Sequence, residues 1–151
     1  EDLKPDKTCF HTLIAACKKN RYPNREVARA ALWALNGMKR LGHTPEPRDY
    51  KLVMECCYNS LPKGSEQTET LHVLFQSCCN DGLFDKNVLD FVQQHFSFQA
   101  YQDKIMSRSV GRRLPHEWSR NTTEGRLSVD GKHVAKDDKI TILSPPQRRN
   151  Q

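Results

Sequence analysis

Histidines, cysteines and paired carboxylates are the residues of this chain that could do chemistry, and their spacing assembles no reactive set. His116 and Glu117 could act as an acid–base pair, but they follow Pro115 in a segment without periodicity. The six cysteines include no C-x-x-C pair, so a zinc site is not predicted. Asp137 and Asp138 could hold Mg²⁺, yet lysines flank them on both sides. A phosphate-binding glycine loop and a nucleophile elbow are both absent from the sequence. We therefore predict a non-catalytic protein with no cofactor and no small-molecule substrate.

The positive charge of the chain is concentrated at its C-terminal end. Residues 1–106 carry 14 Lys or Arg and 13 Asp or Glu, a net charge of +1, whereas residues 107–151 carry 10 and 5, a net charge of +5. Arginine suits bidentate contacts to phosphate, so this basic tail predicts an anionic partner such as RNA. A solvated tail is the alternative interpretation. Trp118 is predicted to anchor the tail on a partner. The tail arginines predicted to bind RNA are Arg108, Arg112, Arg113, Arg120 and Arg126.

An internal repeat of 40 residues organises the rest of the chain. Apolar residues stand at i, i+3, i+4 and i+7 from Phe10 to Cys17, and again at the equivalent positions from Tyr50 to Cys57. Gly42 and Gly82 are likewise 40 residues apart. A period of this length indicates stacked supersecondary units, which build binding surfaces. Cysteines at the apolar positions are predicted to pack as small hydrophobic residues in a reducing compartment.

Each repeat is predicted to contain two helices that position these residues. Capping residues and glycines bound the helices, and Pro45 forbids continuation of the second one. The predicted helices span about residues 8–20, 25–41, 47–59 and 68–80, followed by a capping helix or helix pair in 86–106. The units are then 6–45, 46–85 and 86–106, within a helical domain 1–106. Residues 107–151 form an extended tail with a weak hairpin at 127–143, where Asp130–Gly131 is a turn signal. No membrane-spanning segment is predicted.

The first unit resembles a pentatricopeptide repeat. The resemblance rests on Phe10, Leu13 and Ile14, on Ala31 and Leu35, and on the ending Met38, Gly42 and Pro45. It implies a short, all-α solenoid of antiparallel helix pairs, and a family that binds single-stranded RNA in mitochondria and plastids. Units of the HEAT type, which are also about 40 residues long, are the alternative.

The resemblance also implies which side chains read bases. These are the fifth residue of the first helix and the last residue of the unit, which map to His11 with Glu46 and to Lys51 with Lys86. Neither pair matches the usual combination of Thr, Asn or Ser with Asp or Asn. We therefore expect an RNA-associated accessory factor, or a subunit of an organellar ribonucleoprotein assembly such as a ribosome. The alternative is a scaffold subunit of a respiratory or photosynthetic complex with no RNA contact.

Overall fold

The computed structural model describes residues 4–19 and 24–130 of the chain, and every named secondary-structure element in these ranges is a helix. Two short 3₁₀ turns, Met106–Arg108 and His116–Ser119, follow the last helix. None of the helices in these ranges is both long and apolar enough to cross a membrane. The α-helices are α1 (Lys7–Lys18), α2 (Arg25–Arg40), α3 (Pro47–Ser60), α4 (Ser65–Asn80), α5 (Lys86–His95) and α6 (Phe98–Lys104).

Polar side chains start these helices because the first backbone N–H groups of a helix lack partners within it. The Asp6 carboxylate accepts from the N–H of Cys9 at 2.9 Å to begin α1. At the start of α3, Glu46 and Asp49 form a reciprocal capping box. The Asp85 carboxylate caps α5. The sequence predicted that the fourth helix begins at about Thr68, but α4 begins three residues earlier, at Ser65.

Two glycine turns end α2 and α4 in the same way. Gly42 has φ +86° and Gly82 has φ +72°, a left-handed conformation that L side chains rarely adopt. In both turns, the residue after the glycine donates its backbone N–H to a carbonyl five positions earlier, at 3.0 Å. This is the Schellman ending of a helix. The 40-residue spacing seen in the sequence is thus repeated in the backbone hydrogen bonds.

The core lies around α3, which packs against α1, α2, α4 and α5. Phe10 of α1 is buried on Gly37 of α2, where an added Cβ would lie 3.0 Å from the Phe10 ring. The predicted capping segment forms two helices, α5 and α6. Side chains with almost no exposed surface fill the core, the largest being Tyr50, Phe84, Ile14, Met38, Met54, Leu89 and Ile105.

The described part of the tail, which was predicted to be extended, packs on the helical domain of its own chain. Leu114, Leu127 and Val129 are buried in the same core as the helices. Trp118, predicted to anchor the tail on a partner, instead contacts the rings of Phe75 and Phe84. Residues 107–130 therefore share the helical domain's core. Residues 131–151 lie outside the described ranges.

The predicted hairpin at 127–143 falls mostly outside the described residues. Its first residues pair with an earlier segment: the N–H of Leu114 donates to the carbonyl of Leu127 at 2.9 Å, and the N–H of Val129 donates to the carbonyl of Arg112 at 2.7 Å. Only isolated bridges result, so this pairing forms no named strand within residues 4–19 and 24–130.

Candidate functional site

The first pair of predicted base-reading residues, His11 and Glu46, lies at one corner between α1 and α3. The Nε2 atom of His11 is 3.0 Å from Oδ1 of Asp49, which is buried. The Oε2 atom of Glu46 is 3.3 Å from Nζ of Lys7. The backbone N–H of Glu46 donates to Asp49 at 2.7 Å. Asp49 thus links the two residues, and both side chains already have partners within the chain.

The second pair, Lys51 and Lys86, is not brought together by any hydrogen bond or ion pair of the described residues. Lys51 Nζ lies 3.7 Å from Glu55 on the next turn of α3. Lys86 Nζ lies 3.4 Å from Asp90 on α5 in the same manner. Because both ammonium groups face a carboxylate, these lysines provide little net attraction for phosphate.

A polar network around Tyr50 ties α2, α3 and α4 together, and the sequence did not predict it. Lys39 Nζ is 2.8 Å from the Asp81 carboxylate and 3.2 Å from the Tyr50 hydroxyl. The same hydroxyl lies 3.1 Å from Ser77 Oγ and donates to Asp81. Burial, together with the hydrogen bond to Asp81, raises the pKa of Tyr50 to about 12. The sequence feature that could have indicated this network is the tyrosine at position 50, because the equivalent residue of the first repeat, Phe10, has no hydroxyl.

The tail docks on the turn that ends α4. The backbone N–H of Phe84 donates to the carbonyl of Trp118 at 2.8 Å, and the N–H of Asn121 donates to the carbonyl of Gly82 at 2.9 Å. The Trp118 ring meets Phe75 edge-on, with ring centroids 5.4 Å apart. An aromatic ring held this way contributes both buried area and favourable edge-to-face geometry. Residues 118–121 therefore fix the tail to the turn that ends α4.

The five predicted tail arginines separate into two groups. Arg120 donates to the carbonyl of Asn80 at 2.6 Å, and Arg126 donates to the carbonyl of Leu114 at 2.8 Å. These two guanidinium groups hold the tail in place. No hydrogen bond or ion pair to the described residues engages the guanidinium groups of the other three, which are Arg108, Arg112 and Arg113.

A tight turn presents two of these unpaired arginines. Gly111 and Arg112 both have positive φ, +56° and +76°, and Val110 and Arg113 exchange backbone hydrogen bonds across them at 2.8 and 3.0 Å. This geometry matches a two-residue hairpin turn of the primed type. The guanidinium of Arg112 stands at the exposed tip. We name residues 108–113 the arginine turn.

The resemblance of the first unit to the pentatricopeptide repeat rests on residues of this chain alone. Comparisons of the chain with protein-family models, with curated proteins and with solved structures found no match. The structure gives the residues of the resemblance a role in packing: Met38 is fully buried and Gly42 forms the left-handed turn after α2.

The buried cysteines are poor nucleophiles. Burial raises the pKa of Cys56 and of Cys57 to about 12, so both remain protonated thiols at neutral pH. Cys9, in contrast, is exposed. The arrangement of the buried thiols is that of small apolar side chains in a core.

Proposed function

We propose that the chain is a short α-solenoid of antiparallel helix pairs similar to pentatricopeptide repeats. Contacts between equivalent helices support this. Lys7 and His11 link α1 to α3, and the rings of Tyr58 and His95, 4.3 Å apart, link α3 to α5. Arg25 bonds Glu66 at 2.7 Å between α2 and α4. In every case the partners are about one repeat apart, as stacked units require.

We propose further that it is a non-catalytic binding protein that associates with RNA, as an accessory factor or as a subunit of an organellar ribonucleoprotein assembly. One observation carries this proposal: Lys7, Lys51 and Lys86, on α1, α3 and α5, each face a carboxylate, whereas the cations of the arginine turn face none among the described residues. Unpaired, exposed guanidinium groups are well suited to phosphate. Phosphate contacts position a nucleic acid and do not select its sequence. The mitochondrial or plastid location follows from the family resemblance.

The experiment is an affinity comparison on a fluorescent, unstructured single-stranded RNA at low salt. Replacing Arg108, Arg112 and Arg113 together by Gln removes three positive charges. The matched control replaces Lys7, Lys51 and Lys86 by Gln, which removes the same charge from the first helices. We expect the arginine variant to bind about tenfold more weakly or worse, and the lysine variant to bind within about twofold of the wild type. The reverse order would contradict the proposal.

The second candidate function is a scaffold subunit of a large organellar protein complex without RNA contact. It is favoured by two exposed apolar residues at equivalent positions, Trp33 on α2 and Val73 on α4, with 54% and 62% of their surface exposed. Repeated apolar side chains on one face are typical of a protein interface. Its test is sedimentation of the protein from organelle extract. A fast-sedimenting fraction that survives ribonuclease, and that a Trp33→Ser, Val73→Ser variant loses, would favour the scaffold.

A further inference from the structure

A cavity of about 280 Å³ lies where the ends of α3 and α5 meet the starts of α4 and α6. It is at the other end of α4 from the docked tail, and none of the predicted RNA-binding residues lines it. Two aromatic pairs contribute to its wall: Tyr58 with His95, whose ring centroids are 4.3 Å apart, and His72 with Phe96, at 5.0 Å. Such rings offer flat faces on which a flat ligand ring can stack.

A buried amide in the wall carries an unused acceptor. Gln67 is only 7% exposed, and its Nε2 donates to the carbonyls of Tyr58 and Leu61 at 2.7 and 3.1 Å. Its Oε1 therefore remains the polar atom of this side chain without a partner among the described residues. This oxygen is not among the fully buried unpaired polar atoms of the described residues, so it can accept a hydrogen bond from a donor that enters the cavity.

Positive charge stands at the edge of the same cavity. Lys63 lines it from the loop before α4, and its ammonium makes no ion pair with the described residues. Gly64 is the N-cap residue of α4, and no side-chain hydrogen bond caps the start of this helix. Both features favour an anionic group. Burial lowers the pKa of His72 and of His95, so at neutral pH these rings are uncharged stacking partners.

We propose that this cavity binds one nucleotide unit, with its base against the two aromatic pairs, an N–H of the base donating to Gln67 Oε1, and its phosphate at Lys63. The combination of flat faces, one unpaired acceptor and one cation matches a base that carries an anionic group. The proposal goes beyond the RNA association proposed above and does not depend on the arginine turn. The nucleotide comes either from a free mononucleotide or from an unpaired residue of an RNA strand.

The test follows the imidazole resonances of the full chain by NMR during titration with AMP, adenosine and ribose 5-phosphate. AMP is expected to shift the His72 and His95 resonances saturably below about 5 mM. Adenosine should bind about three- to tenfold more weakly because it lacks the charged contact, and ribose 5-phosphate should leave both resonances unchanged. If AMP shifts neither histidine, or ribose 5-phosphate binds as well as AMP, the proposal is wrong.

Substitutions of exposed lysines test the phosphate contact without disturbing the core. Lys63→Ala should weaken AMP binding about three- to tenfold and leave adenosine binding unchanged, whereas Lys86→Ala, which removes an equal charge elsewhere, should change neither. Equal effects of the two variants would overturn the assignment of the phosphate. An adenylate trimer distinguishes the sources: tighter binding than AMP at the same histidines assigns an RNA strand, and equal binding assigns a free nucleotide.

Discussion

The carbonyl of Gly82 accepts a hydrogen bond from the backbone N–H of Asn121 at 2.9 Å, and this bond closes the tail over the turn that ends α4. The approach is close: a Cβ on Gly82 would lie 2.6 Å from Cγ of Arg120. Gly42 occupies the equivalent turn of the first unit, and a Cβ there would meet nothing within 4 Å. The two glycines therefore share a backbone conformation and differ in whether the tail covers them.

This difference predicts unequal costs for the same substitution. Gly42→Ala should destabilise the fold by about 1 kcal/mol, the cost of a left-handed alanine. Gly82→Ala should cost about 2–4 kcal/mol, because the added methyl also displaces Arg120 and Asn121 from their hydrogen bonds. Urea unfolding measures both values. Hydrogen exchange at the Asn121 amide should accelerate only in the Gly82 variant. Equal costs would mean that the tail does not dock in solution.

The two tryptophans provide a second test of the docked tail. Trp118 packs edge-on against Phe75 and Phe84, whereas Trp33 is 54% exposed. We expect Trp118→Ala to cost about 2–4 kcal/mol and Trp33→Ala less than about 1 kcal/mol. Denaturant unfolding followed by circular dichroism measures both. If Trp118→Ala lowers the free energy of unfolding no more than Trp33→Ala, the tail does not pack on the helices in solution.

Much of the helical framework could be predicted from local signals. The caps at Asp6 and Asn24, the glycines at 42 and 82, and the apolar spacing from Phe10 onward each depend on residues a few positions apart. Such signals survive in a single sequence because helix starts, helix ends and buried faces are local properties. The all-helical class follows from them.

The docked tail and the pairing of the site residues could not be predicted in this way. Trp118 contacts Phe84. It lies in an irregular segment without hydrophobic periodicity, so the sequence does not indicate which surface its ring packs against. The partner of His11 is Asp49, a residue of the next unit that the capping box also uses. The sequence shows which residues are charged, but the tertiary packing of the helices determines which charges pair.

The hydroxyl of Tyr50 provides a prediction for the polar network. Tyr50→Phe should cost about 1–2 kcal/mol, since the Lys39–Asp81 ion pair remains while a buried hydrogen-bonding group is lost. The matched control is Tyr101→Phe, whose hydroxyl accepts from Gln93 at an exposed position, and it should cost less than about 0.5 kcal/mol. Thermal unfolding of both variants gives the comparison. If Tyr50→Phe leaves thermal unfolding unchanged, the Tyr50 hydroxyl contributes nothing to the stability of the fold.

Stability should fall as the solution becomes mildly acidic. Burial lowers the pKa of His72 and of His95 below the usual 6.5, with Lys104 adding to the effect on His72. The unfolded chain therefore binds more protons than the folded chain as the pH falls through 6.5 toward the folded pKa values, so stability is lost in this window.

Urea midpoints between about pH 7.5 and 5.5 test this expectation. The window stops there because the pKa of Asp85 is raised from 3.8, and this carboxyl acts in the opposite direction at lower pH. Replacing His72 and His95 by Gln should flatten the dependence, whereas His116→Gln, an exposed control, should not. An unchanged slope in the double variant would assign the pH effect to other groups.

The most direct measurement of the central claim is the salt dependence of binding to an unstructured single-stranded RNA. Each phosphate that a cation neutralises adds about 0.7 to the slope of log K against log salt concentration. With Arg108, Arg112 and Arg113 replaced by Gln, the magnitude of the slope should fall by about 2. With Lys7, Lys51 and Lys86 replaced by Gln, it should stay at the wild-type value. A wild-type slope in the arginine variant, or a reduced slope in the lysine variant, would contradict the assignment of RNA association to the arginine turn.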